Sequence, residues 1–177
     1  MPTKILILKG DITDLAVEAI VNPVDTDLAM ADGVAAAIRR KGGEHIQEEC
    51  ERLAPIRLGA AVVTTAGNLR PLFIIHAAAL RPGEKATAES IRLATRQILF
   101  RTEEKTIKSL ALPALGTGAA GVPVPECAEI MLKAVLAHIK VRTSLEKICF
   151  ALDDDATLRA FEDAFQKLTS RPQADAA

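Results

Sequence analysis

Tryptophan and tyrosine are absent from this chain, and five phenylalanines are its whole aromatic complement, 3% of 177 residues. A platform that stacks successive bases of a single strand needs several exposed rings, so that class of partner is excluded. Charge of one sign is equally scarce: 22 Lys and Arg stand against 23 Asp and Glu, and the longest basic run is Arg39-Arg40-Lys41. Such a balance leaves no footprint for duplex nucleic acid. Cysteine is sparse and odd in number. Cys50, Cys127 and Cys149 lie far apart, which suits reduced core thiols in a cytoplasmic protein better than disulfides or a zinc site. No apolar run approaches a membrane span. The opening MPTKILILKGD is too short in apolar residues and too soon charged for a signal peptide.

What the chain does have is 49% apolar residues, enough for a sizeable core. We expect one globular domain over residues 1–168 and a flexible tail at 169–177, where nothing remains to bury. Strand-like runs fall at 4–9, 19–24, 59–65, 73–79, 110–115 and 148–152. Between them lie helical spacings at 33–41, around Ile46-Cys50-Leu53, at 87–102, from Pro125 to about His138, and from a cap at Asp155 onward. In the second helix Gln47, Glu48, Glu51 and Arg52 fall on the solvent face. Thr13 or Asp14 is placed to cap a short helical turn in DLAVE. Strands alternating with helices predict a three-layer α/β/α sandwich with a mixed, largely parallel six-stranded sheet.

In such sheets ligands bind at the carboxyl ends of strands. Here those ends carry small or acidic residues: Gly10-Asp11, the loop 25–33, Gly116-Thr117-Gly118-Ala119-Ala120-Gly121, and Asp153. Glycines permit close backbone approach, and free N–H groups at a helix start attract an anion, commonly phosphate. The Gly116–Gly121 stretch is not a P-loop, because no Lys-Ser/Thr follows its last glycine. Two such loops, each running into a helix, have the makings of a grip on a diphosphate. Taken singly, each candidate also has a plainer reading. Asp11 can cap the turn after it, and Asp32 can cap the helix at Gly33. His76, inside an apolar strand, reads as a hydrogen-bonded core histidine, and Cys50 and Cys127 as packing. His45 and His138, on or near solvated helix faces, are assigned no role. Asp25, Asp27 and Asp32 share one loop and could hold Mg²⁺, which prefers oxygen ligands. Solvated loop carboxylates are the preferred reading, since no His, Glu or further Asp accompanies them, and no resident metal or cofactor is assigned.

In order, Gly10-Asp11-Ile12-Thr13, Ala19-Ile20-Val21-Asn22, Gly33-Val34 with Ala37-Ile38, Glu49-Cys50, Ile74-Ile75-His76-Ala77 and Leu112-Pro113-Ala114 with Gly116-Thr117-Gly118 and Gly121 resemble the macro domain. This is the ADP-ribose-binding, Appr-1''-p processing family, and the resemblance runs from about Ile5 to Phe165. It implies that Asp11 accepts from the adenine amino group while the Ile12 backbone meets the ring. It implies that Gly33-Val34 and Thr117 to Gly121 bind the diphosphate, that Asp25 faces the distal ribose, and that Leu152-Asp153 borders the adenine. Gly10, Asn22, Asp32 and Gly116 complete the expected ligand-contacting set.

The sequence departs from the family at particular points. Asp25 stands where relatives usually carry Asn, and Ala35 where hydrolytic relatives carry Asp. Asp32 interrupts a glycine run, and Ala120 and Leu152 replace aromatics. The expectation is therefore a module that binds ADP-ribose or a related nucleotide diphosphate, free or protein-linked. The alternative is a hydrolase of ADP-ribosyl esters, O-acetyl-ADP-ribose or ADP-ribose 1''-phosphate, with Asp25 or Asp27 positioning water. The third reading is an interaction scaffold without a ligand. No oligomeric partner is assigned.

Overall fold

The computed structural model describes residues 1–118 and 121–170. Six strands form one sheet: β1 (Lys4–Lys9), β2 (Ala19–Asp25), β3 (Ala61–Thr65), β4 (Phe73–Leu80), β5 (Ser109–Leu112) and β6 (Lys147–Leu152). Their spatial order is β1-β6-β5-β2-β4-β3, with every neighbour parallel except the β3–β4 hairpin. Among the described residues, five helices cover the sheet: α1 (Gly33–Gly42), α2 (His45–Leu53), α3 (Ala88–Glu104), α4 (Val124–His138) and α5 (Asp155–Thr169). The predicted mixed, largely parallel sandwich is what forms.

Both faces of the sheet are buried because side chains alternate along each strand. Ala19 and Val21 of β2, Leu110 and Leu112 of β5, and Ile148, Phe150 and Leu152 of β6 join one core with α3, α4 and α5. Ile20 and Val24 of β2, Ala111 of β5, and Cys149 and Ala151 of β6 join a second core with α1 and α2. Parallel strands returning through helices leave the carboxyl ends of β1, β2, β5 and β6 at one edge, and the loops gather there.

Several expected boundaries move, each for a local reason. No helix forms in DLAVE. Asp11 caps a single 3₁₀ turn at Ile12–Asp14, and Leu15 then leaves in an extended conformation. β3 begins at Ala61, not Gly59, because the Ala60 N–H closes a turn on the Arg57 carbonyl. β5 stops at Leu112, where Pro113 has no N–H to continue a ladder. Asp154, not Asp155, caps α5 by accepting from the Thr157 N–H. α2 is rotated from its expected setting: Gln47 is buried and Leu53 is 43% exposed. His138 has a partner, with Nε2 lying 2.8 Å from Glu103 Oε1 on α3. α5 continues to Thr169, one residue past the expected domain end, and the expected tail from 171 to 177 lies outside the described residues. Among the described residues, no helix is long and apolar enough to cross a membrane.

Candidate functional site

At the carboxyl edge of the sheet a cleft of about 500 Å³ is lined by Lys9, Gly10, Asp11, Ile12, Thr13, Gly33, Val34, Ala37 and Asp153. The Gly10 N–H donates to the Leu152 carbonyl at 3.0 Å, which carries the β1–β6 pairing up to the cleft floor. The chain then turns through Asp11. Oδ1 of Asp11 accepts from the Thr13 N–H and the Thr13 hydroxyl, at 2.9 and 2.6 Å. Oδ2 accepts from Lys41 Nζ at 2.8 Å. The same ammonium donates to Thr13 Oγ1 at 2.8 Å and Asp14 Oδ1 at 3.3 Å. Lys41 hydrogen bonding, followed by that of Thr13, holds the Asp11 carboxyl down at about 2. Asp11 therefore combines capping with an open acceptor position: among the described residues Oδ1 accepts two hydrogen bonds and Oδ2 only one.

Across the cleft, α1 begins at Gly33 with φ +57° and nothing within 4 Å of where a Cβ would stand. Asp32 occupies the cap position but makes no side-chain cap bond. Its expected capping role is not realised, and only its carbonyl serves, accepting from the Ala36 N–H. Among the described residues, the N–H groups of Gly33, Val34 and Ala35 meet no acceptor. α2 and α4 also begin without a side-chain cap bond, whereas α3 and α5 begin under caps from Thr87 and Asp154. An uncapped helix start facing a cavity is an anion site in both its donors and its dipole.

The second glycine loop folds on itself. The Gly121 N–H donates to the Gly118 carbonyl at 2.7 Å and the Val122 N–H to the Gly116 carbonyl at 2.9 Å. Gly116 has φ +67°, and a Cβ there would come within 2.6 Å of Ala86 Cβ, so no other residue fits. Gly118 is exposed, and among the described residues a Cβ there would meet no heavy atom within 4 Å. Ala119 and Ala120, two expected contacts, lie outside the described residues.

Of the expected ligand residues, the cleft wall brings together Gly10, Asp11, Ile12, Gly33, Val34 and Asp153. Asp25, Asp32, Gly116, Thr117, Gly118 and Gly121 lie in the loops at the same edge of the sheet without lining this cavity. Asp25 is half-buried, and its Oδ1 accepts from the Asp27 N–H at 2.9 Å. Two expectations are corrected. Asn22 is fully buried in β2 on the α1/α2 side and does not line this cleft. The Leu152 side chain points into the opposite core, and only its carbonyl reaches the site, through Gly10. Asp25, Asp27 and Asp32 do not converge: among the described residues, no group of three or more His, Cys, Asp or Glu is arranged to hold a metal ion.

Asn22 serves His76 instead. Its Nδ2 lies 3.0 Å from His76 Nδ1, which leaves the His76 Nε2–H to donate to Thr64 Oγ1 at 2.7 Å. The Thr64 hydroxyl in turn donates to the Thr65 carbonyl. Burial pushes the His76 imidazole down to about 3 and the neighbouring Cys50 thiol up to about 12. A neutral imidazole beside a protonated thiol is packing, not an activated nucleophile.

Sequence reasoning misses Lys41, although Val34, Ala37 and Lys41 recur at helical spacing on one face of α1 and point to it. Lys9 and Thr13, which line the cleft where Lys41 does not, carry no signal beyond their place beside Gly10-Asp11.

The Macro domain family model matches residues 21–131. An uncharacterised protein of Mycobacterium tuberculosis is 43% identical over 158 residues, covering 89% of this chain and 44% of that protein. The chain thus spans less than half the length of that relative. Among solved structures, an Oceanobacillus iheyensis macrodomain variant with ADPR superposes with a TM-score of 0.85 at 22% identity, covering 93% of each chain. The Trypanosoma brucei macrodomain in complex with ADP-ribose gives 0.83 at 25% identity, covering 90% of this chain and 68% of that one.

Proposed function

This chain belongs to the macro domain family, and from that premise we propose that it binds ADP-ribose, or a related nucleotide diphosphate, in the cleft at the strand carboxyl ends. The observation that carries this reading is the pairing of the Asp11 acceptor with the uncapped start of α1 across one cavity. An amino-bearing base suits the open acceptor position of Asp11, and a diphosphate suits the open N–H groups of Gly33 to Ala35 and the exposed backbone at Gly118. The ligand is either free or attached to a protein, since an exposed loop edge leaves room for a group beyond the distal ribose. Residues 1–168 act as one such domain, and its three buried free thiols suit a reducing cytoplasm.

Binding without turnover is the favoured form. Ala35 is buried in the α1/α2 core and offers no carboxylate, and Asp25 has committed one oxygen to its own loop. The test is a thermal-shift titration with ADP-ribose, ADP and AMP, paired with a turnover assay on ADP-ribosyl esters. Stabilisation should grow as RT ln(1 + [L]/Kd), reaching about 2.7 kcal/mol at a hundredfold excess over Kd. Rapid release of ADP-ribose from the esters would replace this reading with the hydrolase. No shift with any of the three nucleotides would leave the scaffold reading.

A further inference from the structure

Residues 26–32 join Asp25 at the end of β2 to Gly33 at the start of α1, so the conformation of this loop sets both. The backbone within it is held unevenly. Near its start, the Thr26 N–H donates to the Leu80 carbonyl, the Ile56 N–H donates to the Thr26 carbonyl, and the Leu28 N–H donates to the Asp25 carbonyl. Leu28 then adopts φ +57°, a left-handed conformation that a branched side chain enters only when its surroundings impose it. Its side chain is fully buried, as is that of Met30, in the same core as Ile46 and Cys50 of α2.

From Leu28 to Ala31, one side chain hydrogen-bonds to the backbone among the described residues. Gln47 of α2, 8% exposed, accepts from the Met30 N–H through Oε1 at 3.0 Å and faces the Leu28 carbonyl with Nε2 at 3.5 Å. One planar amide thereby answers a donor and an acceptor two residues apart, as a neighbouring strand's peptide would. Methionine would fill the same volume and answer neither group. Glutamate would keep the acceptor and lose the donor.

We propose that Gln47 is a positioning residue for the ligand site: it clamps the loop 26–32 in its left-handed turn and so holds Asp25 and Gly33 ready for the diphosphate and distal ribose. This rests on the reading of the cleft given above. Gln47 touches no ligand. Its effect is to remove the ordering that a free loop would otherwise have to undergo on binding. The adenine wall at Asp11 and Ile12 follows β1 and lies outside the loop 26–32. The clamp therefore discriminates between ligands by how far they reach along the cleft.

The experiment compares wild type and Gln47→Met at a temperature where both are folded. It measures affinity for ADP-ribose and for AMP by calorimetry, and hydrogen exchange at the Met30 amide. Loss of about one net hydrogen bond predicts ADP-ribose binding weakened roughly tenfold, AMP binding changed less than about threefold, and faster exchange at Met30. Equal weakening of both ligands would mean general damage and overturn the proposal, as would unchanged ADP-ribose affinity. If Gln47→Met does not fold, Gln47→Glu keeps the acceptor for Met30 and is expected to show the same selective loss. If wild type bound neither nucleotide, the reading of the cleft would fall, and the exchange rate at Met30 would still decide whether the clamp exists.

Discussion

On the β1 and β6 side of the cleft, side chains hold the wall: Asp11, Thr13, Asp14 and Lys41 form one hydrogen-bonded group that reaches from the 3₁₀ turn to the last turn of α1. On the side of the loops that follow β2 and β5, what is presented is backbone. Gly116, Gly118 and Gly121 bond to their own loop, and Gly33 stands open at a helix start with no side-chain cap. The contrast follows from what each flank can recognise. An amino group on a base is read by one acceptor in one orientation, and an ion pair keeps that acceptor still. A diphosphate is read by several N–H donors at once, and these are exposed only where side chains are missing. One flank should respond to charge and pH, and the other to steric bulk.

The largest effects are expected from bulk in the second glycine loop, and its two key glycines should separate. Gly118→Glu places a charged side chain into open space where phosphate is expected. It should lower ADP-ribose affinity by about two orders of magnitude with little change in Tm, because nothing within 4 Å has to move. Gly116→Ala should do the reverse damage, costing about 1–3 kcal/mol of stability, since its Cβ meets Ala86 and Ile91 from a left-handed backbone. Calorimetric titration and thermal melts on both variants check this. A Gly118→Glu protein that binds like wild type would erase the distinction between the flanks.

A smaller effect is expected on the side-chain flank. Lys41→Met removes the main cause of the low Asp11 pKa, so the carboxyl should climb from about 2 towards the ordinary value near 3.9. The sign for stability is fixed: a depressed carboxylate pKa contributes stability above its ordinary value, and that contribution is lost as pH falls from about 4 towards 2. The variant should show a smaller acid-dependent loss, since the Thr13 hydrogen bonds remain, and NMR titration of Asp11 reads it directly. Both groups are substantially exposed, so the stability change should be small. AMP and ADP-ribose should weaken together, because both need Asp11. A loss confined to ADP-ribose would place Lys41 on the wrong flank.

The smallest effect concerns Asp32. Its carboxylate is exposed and uncommitted at the start of α1, beside the expected phosphates. Two unit charges 4 Å apart in water repel by about 1 kcal/mol, and salt reduces this further. Asp32→Gly should tighten ADP-ribose binding severalfold at low ionic strength and hardly at all at high. The Tm should scarcely move, because no cap bond is lost. Titrations in EDTA exclude a bridging cation. Weaker binding of the variant in EDTA would show that the carboxylate holds the ligand.

Element order, the parallel sheet and the glycine loops were legible in the sequence because each depends on residues close in the chain. Apolar periodicity marks a helix or strand wherever it lies, and the missing side chains of Gly116 and Gly118 act on their own backbone. The tertiary structure decided where side chains point and whom they meet. Asn22 and Leu152 sit at strand positions that the sequence assigns to the site. Yet strand alternation sends Asn22 to His76 and Leu152 into the far core. Lys41 and Asp11 are 30 positions apart, and only the docking of α1 brings them to 2.8 Å. Gln47 and Leu53 exchange their expected faces because the axial rotation of α2 is set by packing against the loop 26–32, where a buried amide answers backbone groups that Leu53 could not satisfy. Periodicity fixes the width of an apolar stripe, and the partner across the interface fixes which residue stands at its edge.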